Sequence, residues 1–292
     1  FSDHLGTYER VSNNLETDKE TILALEDTNQ SLLSTRINEV MKVINNRCTV
    51  RVYENKPLSQ NEINTIIHGA IRAPTAGNMM FYSILEVKDQ KKKEKLVKTC
   101  DNQPHIAKAP LVLIFLADMQ RWYDYYVVSS VPEICVKHKI AYRTPDESDL
   151  LLACCDALIA AQNAVITAES LGIGSCYIGD IIENIEIHRE MFNLPKWVFP
   201  ITMLCFGYPK QNLSKRILKP RFPKKFIHFT GSYQRFNAKD FVEMFHHYEK
   251  EIYVKNAENL GQDYYLRKTG SEFSQEMSRS VKIAIQDWIK KD

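Results

Sequence analysis

From Leu150 to Leu171 the chain is apolar almost all round and rich in small residues, with alanine at 153, 157, 160, 161, 164 and 168. A helix of that composition has no polar face to give to water, so the pattern predicts a long helix buried against the rest of the fold or against a second subunit. Gly172 supplies its stop. Two further apolar runs say what such a helix packs on: Leu111 to Ala117 after Pro110, and Val198 to Phe206 before Gly207-Tyr208-Pro209. Continuous aliphatic and aromatic runs of this length read as strands covered on both faces, which belong in the middle of a sheet.

Local signals place other elements around these. Ser59, three residues before Glu62, is a capping-box pair, and Ile63, Ile66, Ile67, Ala70 and Ile71 mark one face of the helix it opens. That helix ends before Pro74, and the loop Ala73 to Met80 follows. Phe81 to Val87 alternates as a strand, and Lys88 to Lys95 is a solvated turn and helix start. Gly174 to Asp180 reads as a short strand closing on Gly179, where backbone can approach a ligand, and Ile185 to Phe192 as a short helix. Asp118 to Pro145, with Trp122, Tyr123, Tyr125 and Tyr126, shows no single period; it reads as an active-site lid or as plain packing. Ile22, Leu25, Leu32, Leu33, Ile37, Val40, Met41 and Ile44 recur at helical spacings, and Phe241, Met244, Tyr248 and Ile252 give an apolar tail. Mixed helices and strands in this order predict an α+β fold.

Composition excludes more than it identifies. With 292 residues, 44% of them hydrophobic, a sizeable core is affordable, and a net charge of +2 gives no global pull toward nucleic acid or membrane. Seven cysteines without paired spacing suit a reducing setting, and the expectation is a soluble, cytoplasmic protein. No Gly-x-Gly-x-x-Gly follows a strand, and no phosphate-binding Gly-x-x-x-x-Gly-Lys or Gly-x-Ser-x-Gly elbow occurs. His246-His247 lacks a Glu placed for zinc, so no metal site is expected, and the adjacent Cys154 and Cys155 diverge around their helix as core fillers. What remains is Arg47-Cys48-Thr49-Val50-Arg51, which in an extended segment sets two guanidiniums and a hydroxyl on one side, matched much later by Lys219 and Arg221.

Three blocks in order resemble the FMN-dependent nitroreductase family over roughly residues 37 to 230. Arg47 to Arg51 looks like its Arg-[Arg/His]-Ser-x-[Arg/Lys] segment. Ala73-Pro74-Thr75-Ala76-Gly77-Asn78-Met79-Met80 looks like its Ala-Pro-Ser-x-x-Asn-x-Gln. Ala168-Glu169-Ser170-Leu171-Gly172-Ile173-Gly174-Ser175 is similar to its Ala-Glu-x-Leu-Gly-[Ile/Leu]-Gly-Ser, with Gly207-Tyr208-Pro209 and Lys219-Pro220-Arg221 after it.

The resemblance implies an α+β three-layer sandwich with a central mixed sheet flanked by helices, assembled as a homodimer with FMN at the interface. It implies that Arg47, Thr49, Lys219 and Arg221 hold the FMN phosphate, and that Arg51 sits at the pyrimidine edge and favours reduced flavin. Asn78 would bond the ring or ribityl chain, with Met80 and Cys48 nearby; Ile178, Gly179 and Asp180 would present backbone to N5 and O4; Pro74 and Thr75 would shape the loop from the other subunit. NADH or NADPH would give hydride to the flavin, and a nitroaromatic, quinone or related small molecule would then take it, with no catalytic side chain required. Met79-Met80-Phe81 in place of the usual Gln-Pro makes the expected pocket more apolar, and Cys48 replaces a basic residue or histidine. The same residues fit two rivals: an FMN-binding sensor or carrier, and a deiodinase- or azoline-oxidase-like branch using Glu133, Lys137 and Tyr142. The expected organisation is an N-terminal helical arm (1–36), an FMN-binding domain (37–235) and a C-terminal helical extension (236–292).

Overall fold

The computed structural model describes residues 38–210, 218–246, 248 and 252–290. The arm 1–36, and with it Ile22 to Ile37 of the N-terminal stripe, lies outside the described residues. The helices are α1 (Glu39–Asn46), α2 (Gln60–Ile71), α3 (Gln90–Thr99), α4 (His105–Lys108), α5 (Gln120–Val128), α6 (Val131–His138), α7 (Glu147–Ser170), α8 (Ile185–Phe192), α9 (Ala238–Met244), α10 (Leu260–Tyr264) and α11 (Glu272–Ile289); the strands are β1 (Tyr82–Glu86), β2 (Leu111–Asp118), β3 (Gly174–Ile178) and β4 (Val198–Gly207). They fall into two compact units divided at residues 46/47, 216/217 and 260/261.

The larger unit, 47–216 with 261–292, holds the sheet. Its strands run in the order β1-β2-β4-β3, and every neighbouring pair is antiparallel. Among the described residues, the parallel element of the expected mixed sheet is a single bridge, Thr49 to Ser175. β2 is buried at every position, as its unbroken apolar run predicts. Its side chains divide by parity: Leu111, Leu113 and Phe115 enter a core with α2 and α7, whereas Val112 and Ile114 enter a second core with Leu96 of α3 and Ile106 of α4. Two helical layers therefore share one strand as their common wall.

α7 begins with a capping box between Asp146 and Asp149, reinforced by an ion pair from Arg143, and Gly172 takes the left-handed φ of +73° that ends it. Nine of its residues are buried, so although its composition matches that of a membrane span, this helix is half wrapped in core. α2 carries the Ser59–Glu62 capping box in full. The irregular stretch after Asp118 is two short helices, α5 and α6, parted at Ser130 with φ +55°. Aromatic and aliphatic residues surround both, which is why no stripe stands out in the sequence. Of the two adjacent cysteines, Cys154 packs partly into core, but Cys155 is exposed and fills nothing.

α11, not read from the sequence, packs against α8 and α7 in the larger unit. Trp288 is buried, donates from Nε1 to the Asp146 carbonyl at 3.1 Å, and accepts on its own carbonyl from Trp197 Nε1 at 3.0 Å. In the smaller unit, 1–46 with 217–260, the described residues make a set of aromatic contacts. Phe222 lies 5.2 Å from both Phe245 and Tyr248, and Phe226 lies 5.3 Å from Phe236.

Candidate functional site

Arg47 to Glu54 is held between the start of β3 and the exit of β4. The Val50 amide donates to the Ser175 carbonyl at 2.9 Å, the Glu54 amide to the Tyr208 carbonyl at 2.8 Å, and the Lys210 amide to the Val52 carbonyl at 3.2 Å. The approach to β3 requires glycine, because a Cβ on Gly174 would stand 2.5 Å from Val50 Cγ2. Val50 is buried by that contact, and alternation turns Thr49 and Arg51 to the exposed side; Arg47 and Cys48 are half-buried. Neither Arg47 nor Arg51 forms an ion pair among the described residues. Arg51 lies against the Cys176 thiol: burial pushes that thiol up, and the guanidinium pulls it the other way. The charge of Arg51 also reaches His105, which burial, and then that charge, shift below the ordinary imidazole value; its buried Nε2 has no partner among the described residues.

At the far end of β3, Ile178 is buried and the chain turns through Gly179–Ile182. Gly179 faces open space, since a Cβ there would meet no atom within 4 Å. Asp180 accepts from Gln103 Nε2 at 2.7 Å. Glu183 is buried, and burial first, then the charge and hydrogen bond of Asp180, push its carboxyl up to about 8. The turn is fastened from below by His188, whose ring nitrogens meet the Ile181 carbonyl at 2.9 Å and Thr99 Oγ1 at 2.8 Å. Ser280 of α11 donates to the Ile182 carbonyl at 2.7 Å and accepts from the Ile185 amide at 2.9 Å.

The loop after α2 is a tight turn with positive φ at Gly77 and Asn78 (both 57°) and at Met80 (49°). Thr75 shapes it, its carbonyl accepting from the Asn78 amide at 3.2 Å and its Oγ1 from the Met80 amide at 3.2 Å. Trp122 of α5 donates from Nε1 to the Met79 carbonyl at 2.7 Å, and Asp156 of α7 accepts from the Ala76 and Phe81 amides. Pro74, Asn78 and Met80 are exposed and Thr75 half-buried. Lys219 and Arg221 belong to the smaller unit, where both are exposed and Arg221 Nη1 donates to the carbonyls of Lys219 and Pro220 at 3.2 and 3.3 Å.

The structure thus brings Arg47, Cys48, Thr49 and Arg51 onto β3, the strand that ends at Ile178 and leads into the turn of Gly179 and Asp180, and sets Pro74, Thr75, Asn78 and Met80 on a second, braced loop. Sequence reasoning missed Gln103, His105 and Asp156, and read Trp122 only as part of an aromatic stretch that is a lid or plain packing. Asp156 left a signal, as the one charged residue between Leu150 and Thr167.

An antiparallel sheet between helical layers, with two guanidiniums that have no carboxylate partner among the described residues and an open glycine turn, defines an α+β protein. Residues 44–208 match the profile described as the Nitroreductase family. The chain belongs to the nitroreductase family. It is 30% identical over 245 residues, 84% of this chain and 90% of the relative, to an FMN reductase (NADPH) of Bacillus subtilis. It is likewise 30% identical over 215 residues, 74% of this chain and 82% of the relative, to an oxygen-insensitive NADPH nitroreductase of Salmonella typhimurium. The solved structure of the NfrA1 nitroreductase from B. subtilis superposes with a TM-score of 0.68 at 28% identity, covering 84% of this chain and 98% of that one.

Proposed function

We propose that this chain is an FMN-dependent oxidoreductase that takes hydride from NADH or NADPH and passes it to nitroaromatic, quinone or related acceptors in two separate half-reactions. The names of its relatives, an FMN reductase and an NADPH nitroreductase, support the reading. The observation that carries it is the seating of Arg47 to Arg51 along β3, which leaves two guanidiniums without carboxylate partners among the described residues, on the strand that leads into the open turn at Gly179. That donor set fits FMN: cations and a hydroxyl for a phosphate, and a glycine turn without a side chain for a ring.

Bound FMN supplies the hydride chemistry. The protein binds and orients. Arg47 and Thr49 hold the phosphate, with Lys219 and Arg221 added by the family resemblance. Arg51 places a positive charge at the ring edge where reduction gathers negative charge, and so favours the reduced form. Ile178, Gly179 and Asp180 present backbone toward the ring; Asn78 and Met80 bound it from the braced loop, with Pro74 and Thr75 fixing that loop's shape and Cys48 packing beside Arg47. The working form is a cytoplasmic homodimer. Leu151, Leu152, Leu158 and Ile159 on the outer side of α7 are exposed in the single chain and support that assembly.

The test is the visible spectrum of purified protein before and after NADPH, beside an Arg47→Ala, Lys219→Ala double variant. The expected result is a yellow wild type that bleaches with NADPH and recovers on adding menadione, and a largely colourless variant. A colourless wild type that refuses added FMN overturns the proposal. A yellow protein inert to both nicotinamides leaves an FMN-binding sensor instead.

A further inference from the structure

Asp156 is the one ionisable group on the buried face of α7, whose other buried positions are leucine, valine and alanine. A carboxylate there is costly unless both oxygens are satisfied. Among the described residues it forms no ion pair; its partners are two main-chain amides, with Oδ1 accepting from Ala76 at 3.0 Å and Oδ2 from Phe81 at 3.1 Å. Those donors stand at the two ends of the turn that contains Asn78 and Met80, both held at positive φ. Side-chain-bearing residues adopt that backbone at a cost, and such turns persist where the surroundings over-determine them. Here one carboxylate grips both ends, and a neutral amide cannot replace it: an asparagine offers one acceptor and turns an NH2 donor against the other N–H.

We infer that Asp156 is a positioning residue for the cofactor: by clamping the amides of Ala76 and Phe81 it holds the loop in the one shape that presents Asn78 and Met80 to FMN. The inference rests on the FMN reading above. It assigns the carboxylate to loop geometry, with no contact to FMN and no proton transfer.

The experiment compares wild type, Asp156→Asn, Asp156→Glu and Val165→Ala. Val165 is a buried control on the same helix. Three quantities are measured: FMN affinity by fluorescence titration, amide exchange at residues 76 and 81 in FMN-free protein, and the melting temperature. Asp156→Asn is expected to weaken FMN at least tenfold and to speed exchange at both amides at least tenfold. Asp156→Glu, which keeps two acceptors, recovers part of both effects, and Val165→Ala lowers the melting temperature without moving either. Wild-type FMN affinity in Asp156→Asn overturns the inference alone, as does an equal loss of affinity in Val165→Ala. Failure of the wild type to take up FMN brings down the FMN reading and this role together. Where Asp156→Asn does not fold, the Glu and Val165 variants decide by the same two readouts.

Discussion

At Glu183 a buried carboxyl makes stability depend on pH. Burial, then Asp180, Asp101 and Glu276 around it, push it from the ordinary 4.5 up to about 8. Between those values the unfolded chain releases the proton while the folded one retains it, so this group withdraws stability as pH rises from about 4.5 to 8. His188 acts at the other end. Burial lowers it from 6.5 to about 4, so stability falls as pH drops through that window, because only the unfolded chain takes the proton. Glu183→Gln, which cannot ionise, is expected to melt on the order of 5 °C above wild type at pH 8 and to match it near pH 4. Calorimetry across that range, with equal melting temperatures at pH 8 as the contrary result, checks it. No pattern in the sequence announces this pair, because Glu183 owes its state to Asp180 in the same turn and to the helices that bury both.

Among the elements, the docking of Arg47 to Arg51 on β3 depends on one missing side chain. Gly174→Ala would drive a methyl into Val50 and is expected to cost about 2 kcal/mol. Faster exchange of the Val50 amide, and weaker FMN binding with it, is the signature; an unchanged amide would show that β3 yields without releasing the segment. Elements whose signal is local were legible beforehand. The Ser59–Glu62 box fixes the start of α2, the Ile185 to Phe192 pattern matches α8 residue for residue, and the apolar runs give β2 and β4. α11 escaped because its buried positions are Ser280, Ala284 and Trp288, a column opened by a serine whose hydroxyl is spent on the Ile182 carbonyl and the Ile185 amide. The placement of Arg51 beside Cys176, and the grip of Asp156 on a loop 80 residues earlier, are long-range pairings with no local signature.

For the whole molecule, the outward side of α7 is the apolar face on which the proposed homodimer would form. Leu151 is 69% exposed and Leu158 42%, and at a spacing of seven they share one face. Leu151→Glu with Leu158→Glu is expected to leave the fold intact and to give monomers in sedimentation at concentrations where wild type is dimeric. A wild type that sediments as a monomer would assign that face to something else. The deepest constraint lies inside, in β2. Since alternate residues of this strand serve opposite cores, losing a single codon within Leu111 to Ile114 is expected to swap the two sets unless the bend at Pro110 takes up the slip. Exchange of one aliphatic residue for another in this stretch of the gene is expected to cost less than a change in its length.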